Sequence, residues 1–289
     1  MTGKPVVVAV DGSDDALRAA LWAAEEARRR SVGLRVVSAP AVPSRVHAYQ
    51  GASSIVASML HDAAAGAVLQ AARQVTEAVP GLAIDTCVLA GTPAIAVAAS
   101  GAEATMLVVG ARGTGGFGEM ALGSVSRHAA AAATCPVVVV HRQPAPARPE
   151  VIVGVRDPGA SGPALAFAFE EAELRQADLV AVHAWDGLPP ALQVPGAPDG
   201  DAGPGPAIAR QQIAAELAAW HEKYPTVTSA AQVTHGHPGQ VLSIRAATAQ
   251  LVVLGRRDDS ESSRSAKSVG YVRHSVLSYA RGPVVIVPA

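Results

Sequence analysis

The residue types best suited to chemistry collect in one stretch, Gly110-Ala111-Arg112-Gly113-Thr114-Gly115-Gly116-Phe117-Gly118-Glu119-Met120-Ala121-Leu122-Gly123-Ser124-Val125-Ser126. It follows the apolar run Met106 to Val109, so it begins where a buried strand would end, and ligands of open α/β sheets bind at such ends. Gly110, Gly113 and Gly123 let the backbone approach a ligand or take positive φ. Gly123-Ser124 opens a helical segment whose free N–H groups and dipole favour an anion. The Ser124 and Ser126 hydroxyls add donors, and the Arg112 guanidinium either pairs with phosphate or is solvated. A second group stands far upstream, where Val10-Asp11-Gly12-Ser13 follows the run starting at Val6. A carboxylate there can accept from ribose hydroxyls or lie near Mg²⁺, or it serves as a turn or helix-cap residue. From composition alone, a flexible Gly-rich surface loop describes residues 110–126 equally well.

Other chemistries find less support. The Walker loop needs Gly-Lys-Ser/Thr, and the only Gly-Lys is Gly3-Lys4, ahead of any strand. Gly113-x-Gly115-x-x-Gly118 matches the dinucleotide fingerprint, but apolar Val137 to Val140 stands where the ribose-binding acid belongs. His235 and His237 lie two apart with no acidic or Cys partner nearby and read as a surface pair, while His128 and His274 read as helix-face residues. No base is tied to Ser124 by spacing, so no catalytic residue and no protein-only metal site is assigned. Cys87 and Cys135 cannot build a disulfide framework and read as small core hydrophobes. With 23 basic and 24 acidic residues the net charge is −1, which offers nucleic acid no basic field. The stretch Ala129 to Val140 is broken by Pro136 and falls short of the roughly 20 residues that span a bilayer. The expectation is a cytoplasmic protein without a membrane or nucleic-acid partner.

The elements that must hold these residues can be read from an internal repeat. Val6-Val7-Val8-Ala9-Val10 returns 145 residues later as Val151-Ile152-Val153-Gly154-Val155, and Glu25-Glu26-Ala27 as Glu170-Glu171-Ala172. The same shift carries Leu107-Val108-Val109-Gly110 to Val252-Val253-Leu254-Gly255, after which an offset of 147 aligns Gly123 with Gly270 and Val137–Val140 with Val284–Val287. A repeat of this length is a whole domain. The expected domains are 1–142 and 150–289, with a Pro-bearing linker at 143–149. In each, β-branched runs alternate with alanine-rich segments, the pattern of parallel strands joined by crossover helices. In the first copy the strands are Val6 to Val10, Leu34 to Ser38, Ala83 to Leu89, Met106 to Val109 and Val137 to Val140. Helices are expected after Ser13, over Asp62 to Val79, over Ala94 to Gly101 and after Gly123. Asp186 to Pro206, crowded with Pro and Gly, reads as an excursion.

The strand-Asp-Gly-Ser segment at Val10 to Ser13, and the Gly-x2-Gly-x9-Gly-Ser spacing of Gly110, Gly113, Gly123 and Ser124, resemble the ATP-binding branch of the universal stress protein family. The resemblance covers both halves and implies two tandem open five-stranded parallel-sheet domains of the Rossmann-like, adenine nucleotide α-hydrolase-like kind. It also implies an adenine nucleotide, ATP with Mg²⁺, across the strand ends. By matching position, Asp11 lies on the ribose or metal side, Val37 and Val109 flank the base or ribose, and Gly110, Gly113, Gly123, Ser124, Val125 and Ser126 hold the phosphates; Val10 and Arg112 join the expected cofactor-binding residues, Arg112 as the phosphate-pairing or solvated side chain noted above. The implied role is a stress-response protein whose nucleotide state tunes a homodimer, an intrachain pseudo-dimer or a protein partner, with slow hydrolysis at most. An empty interaction scaffold and a slow phosphoryl- or adenylyl-transfer enzyme are the alternatives. Terminal strands are expected to pair, between halves or between chains. The second copy departs at the key places: Arg156 replaces Asp11, Asp258 replaces Gly113 and Tyr271 replaces Ser124.

Overall fold

The structure is a computed structural model that describes residues 3–41, 53–114, 122–142, 148–156, 161–185, 205–256 and 270–289. Asp258, the rest of the polar loop up to Lys267, and nearly all of Asp186 to Pro206 lie outside the described residues. The chain divides into two compact units, one comprising the described residues up to Arg142 and one built on residues 148–256 and Tyr271–Val287.

The first unit runs β1 (Val6–Ala9), α1 (Asp14–Arg29), β2 (Leu34–Ser38), α2 (Ser53–Ala78), β3 (Ile84–Val88), α3 (Pro93–Ser100), β4 (Met106–Gly110), α4 (Ser124–Ala132) and β5 (Val137–Val140). Its strands are parallel in the order β3-β2-β1-β4-β5. The second unit repeats the plan with β6 (Arg148–Gly154), α5 (Gly162–Arg175), β7 (Asp178–Trp185), α6 (Pro206–His221), β8 (Ser229–His235), α7 (Pro238–Arg245), β9 (Ala249–Gly255), α8 (Tyr271–Tyr279) and β10 (Val284–Val287). Its strands, again parallel, take the order β8-β7-β6-β9-β10. Each unit is thus the doubly wound α/β fold that alternating strand and helix patterns imply.

The core is made where short apolar strands meet alanine-lined helices. Val6, Val7 and Val8 of β1 and Met106, Leu107 and Val108 of β4 are wholly buried, as central parallel strands covered on both faces must be. The α1 helix begins cleanly because Ser13 Oγ accepts the Ala16 N–H at 3.2 Å and Asp14 and Asp15 meet its positive end. Ala16, Ala19, Ala20, Ala23, Ala24 and Ala27 then allow it to lie close on the sheet. The α2 helix starts at Ser53, nine residues before the expected Asp62, because nothing between Ser53 and Asp62 breaks a helix. Its segment Ile55–Ala78 is long and apolar enough to cross a membrane, and it docks here through Ala64, Val68, Ala71 and Val75.

Edge strand β3 corrects one reading: Cys87 is exposed, not a core residue, because Asp85-Thr86-Cys87 sits on the open side of the sheet order. Cys135 is buried as expected.

Both units also bury an ion pair near the end of their first helix. The Arg30 guanidinium donates to Glu26 Oε1 at 2.7 Å, and Arg175 pairs with Glu171 at the equivalent place. Glu26 and Glu171 have no exposed side-chain surface. Removing Arg30 takes from the buried Glu26 carboxylate its 2.7 Å partner and leaves longer contacts such as Arg29 at 3.8 Å, so Arg30→Ala should destabilise the first unit by about 3 kcal/mol. The joint replacement Glu26→Leu with Arg30→Met should cost far less. Urea unfolding of the two variants checks this, and equal midpoints would show that the pair is not the source of the loss.

Candidate functional site

The polypeptide leaves β1 toward β2 on one side, while β4 lies on the other, so a crevice opens at the carboxyl ends of β1 and β4. The sequence-predicted residues converge there. Val10 follows β1 and its N–H donates to the Val37 carbonyl at 2.8 Å, which aims the next residue, Asp11, past the strand end. Asp11 Oδ1 accepts the Ser13 N–H at 3.1 Å, the turn role allowed for it, with Gly12 between them at φ +84°. Asp11 Oδ2 also accepts the Thr114 N–H at 2.7 Å. The carboxylate therefore joins the β1 turn to the glycine loop 103 residues later.

The two loop glycines are required for different reasons. A Cβ on Gly110 would lie 2.8 Å from the carbonyl carbon of Asp15 and 2.9 Å from its oxygen, so only glycine lets β4 pass beneath the first turn of α1. A Cβ on Gly113 would lie 2.3 Å from Asp11 Oδ2, so a side chain there would displace the carboxylate. Gly123 donates its N–H to the Ala111 carbonyl at 2.9 Å and precedes α4 without any side-chain cap. The first N–H groups of α4, from Ser124, Val125 and Ser126, have no intrahelical acceptor. By contrast, the positive end of α1 is already met by Ser13, Asp14 and Asp15. Of the two helix starts, α4 is the one with no side-chain cap, an arrangement that favours an anion.

Side chains divide between supporting the loop and facing outward. Ser126 is buried and its hydroxyl donates to the Gly110 carbonyl at 2.6 Å, so it braces the strand end from below. Ser124 and Arg112 are exposed and Val125 is half-buried. Val37 and Val109 are 0% and 2% exposed and present almost no side-chain surface to a ligand. Sequence reasoning does not single out Thr114, because its shorter bond to Asp11 comes from a backbone N–H, which every non-proline residue carries, with its hydroxyl adding a longer contact at 3.5 Å. Among the described residues no group of three His, Cys, Asp or Glu side chains could hold a metal by itself.

The equivalent end of the second unit keeps the frame and changes the groups. Arg156 is exposed where Asp11 stands, and Tyr271, 75% exposed, begins α8 where Ser124 begins α4. Arg273, at the place of Ser126, donates from its guanidinium to the Gly255 carbonyl at 3.3 Å. The equivalent carbonyl thus takes a neutral hydroxyl in one unit and a cation in the other.

The family model described as "Universal stress protein family" matches residues 3–141 and again 148–288. Universal stress protein Rv2623 of Mycobacterium tuberculosis (strain H37Rv) is 33% identical over 302 aligned residues, covering 97% of this chain and 95% of the relative. Universal stress protein Rv2005c of the same organism is 32% identical over 288, covering 97% and 96%. The crystal structure of a universal stress protein from Archaeoglobus fulgidus DSM 4304 superposes with a TM-score of 0.71 at 16% identity, covering 98% of this chain and 96% of that one, a likeness of fold. Matched twice along its length by one family model, and end to end by relatives at 32–33% identity, the chain belongs to the universal stress protein family.

Proposed function

We propose that the first unit binds ATP, with Mg²⁺ on its phosphates, and that nucleotide occupancy tunes contacts with a second copy of the chain or a protein partner during a stress response. The observation that carries this reading is the absent Cβ of Gly113, whose place lies 2.3 Å from the carboxylate that clasps the loop. That geometry brings bare backbone, an acceptor and a free helix start together at one strand end.

The chemistry of the donor set suits the ligand. Asp11 Oδ1 accepts from Ser13 and Oδ2 from the Thr114 N–H and, at 3.5 Å, its hydroxyl, and the remaining lone-pair capacity of Oδ1 suits ribose hydroxyls or a phosphate-bound cation. Mg²⁺ is commonly held by one or two carboxylates together with substrate phosphates, which matches a single clasping Asp better than a closed protein cage. The N–H groups of Ser124, Val125 and Ser126 would take phosphate oxygens, with the Ser124 hydroxyl and the Arg112 guanidinium beside them. Val37 and Val109 would contribute through the shape of the strand ends, since their side chains are buried. No base adjoins Ser124 in this reading, so hydrolysis would rest on phosphate positioning and be slow.

Two glycine variants separate site from scaffold. Gly113→Ala displaces only the exposed end of Asp11, so it should lower ATP affinity at least tenfold with an unchanged melting temperature. Gly110→Ala drives a methyl into the backbone of α1 and should cost about 1–3 kcal/mol of stability as well. Thermal melts with and without Mg-ATP check both, and full ATP affinity in Gly113→Ala would exclude the loop as the site.

Stoichiometry tests the asymmetry of the two units. Calorimetry on the intact chain should give about one ATP per chain, lost in the Asp11→Ala, Gly113→Ala double variant. A nucleotide-free scaffold predicts no heat and no melting shift, whereas 100 times the dissociation constant of ATP should stabilise the binding protein by roughly 2.7 kcal/mol.

A further inference from the structure

The strand ends of the second unit are not a worn copy of the first site; they carry a set of groups with its own chemistry. Along the repeat, Ser38 becomes His183, Pro40 becomes Trp185, Ala90 becomes His235 and Thr92 becomes His237. Together with Arg156, Tyr271 and Arg273, these changes put rings and guanidinium groups at the carboxyl ends of the second unit's strands, where the first unit has small, hydroxyl and carboxylate side chains.

Contacts within the unit join these residues into a rim. The Trp185 and His235 rings meet edge to face with centroids 5.4 Å apart, at the paired ends of β7 and β8. Two residues on, His237 meets Tyr271 edge to face, also at 5.4 Å, which links the β8 side to the start of α8. Arg273 then reaches the Gly255 carbonyl at 3.3 Å, at the end of β9. On the other side of the crevice His183 Nδ1 lies 2.9 Å from the Val155 carbonyl, directly before Arg156. Trp185, His235, His237, Tyr271, Arg273, Arg156 and His183 therefore all lie at or just past the carboxyl ends of the second unit's strands. Its rings are half-buried or exposed, not core: Trp185 and His183 are half-buried, and His235, His237 and Tyr271 are exposed.

We propose that this rim binds an oxyanion carrying a planar ring. The sign comes from Arg156 in place of Asp11, since a guanidinium donates to phosphate or carboxylate and cannot accept from a ribose hydroxyl or ligate a cation. Arg156 and Arg273 already make other interactions within the chain, so the anion shares or exchanges those donors. The ring preference comes from Trp185, His235, His237 and Tyr271, whose faces and edges suit stacking and cation–π contact more than a sugar.

The test uses the full chain in the Asp11→Ala, Gly113→Ala background, which disables the proposed ATP site, with phenyl phosphate, inorganic phosphate and phenol as calorimetric probes and the Arg156-dependent part of the binding assigned to the second unit. Phenyl phosphate should bind at least tenfold more tightly than either fragment. Arg156→Ala and Trp185→Leu should each weaken it at least tenfold, with Arg156→Lys intermediate. Should Trp185→Leu fail to fold, Tyr271→Ala removes a ring that is 75% exposed and should lower affinity for phenyl phosphate but not for inorganic phosphate. Equal affinity for phenyl phosphate and inorganic phosphate, no saturable binding, or full affinity in Arg156→Ala would overturn the proposal. Residual ATP binding in the background variant would count against the first-unit reading alone, because dependence on Arg156 is measured with a different ligand.

Discussion

The parallel pairing of Val6–Ala9 with Met106–Gly110 is the constraint on which the first unit depends. Both strands are covered on both faces, so their side chains belong to the core and only residues beyond their carboxyl ends can meet a ligand. The close passage of Gly110 under Asp15 is what brings the next residues level with Asp11. A methyl group at that point would lift the loop away from the turn, and the Thr114–Asp11 hydrogen bond would lose its geometry. Backbone and turn residues therefore carry the site, and the valines beneath it act by setting where the strands stop.

That division explains which features are legible in the sequence. The repeat offset and the alternation of apolar runs with alanine-rich segments specify parallel strands and crossovers, because both reflect burial, which is periodic. Asp11, Gly110 and Gly113 stand out because they follow β-branched runs at the strand ends where ligands of open α/β sheets bind, in the spacing that resembles the family's. Ser126 is harder: the hydroxyl is visible in the sequence, but whether it points to a ligand or to the Gly110 carbonyl depends on the phase at which α4 starts. Val37 and Val109 enter through resemblance, and their burial leaves them no side-chain contact to make. Cys87 misleads because an edge strand keeps β propensity while losing cover on one side.

The two units differ in what each half has kept. The buried pairs Glu26–Arg30 and Glu171–Arg175 recur at equivalent positions, as do the strand order and the parallel registers. These features share a physical property: changing one partner alone is costly, since it strands a charge or misaligns a sheet. Groups just beyond the strand ends carry no such penalty. They face solvent or a ligand, and a substitution there alters chemistry without unpacking anything beneath it.

This separation lets one frame support opposite electrostatics. Replacing Asp11 by Arg156 changes the charge at the switch point by two units, and replacing Ser126 by Arg273 adds a third at the equivalent carbonyl. Within a crevice bordered by low-dielectric strands, such a change acts strongly on anything bound there, because screening by water is reduced. The first unit presents an acceptor at β1 and donors at the start of α4, an arrangement matched to a ligand with hydroxyls or a cation at one end and an anion at the other. The second presents donors on both sides and rings along the rim, so a ligand suited to the first site meets the wrong sign at its centre. The repeat preserves the strand ends, and the residues just past them would decide which ligand each unit takes.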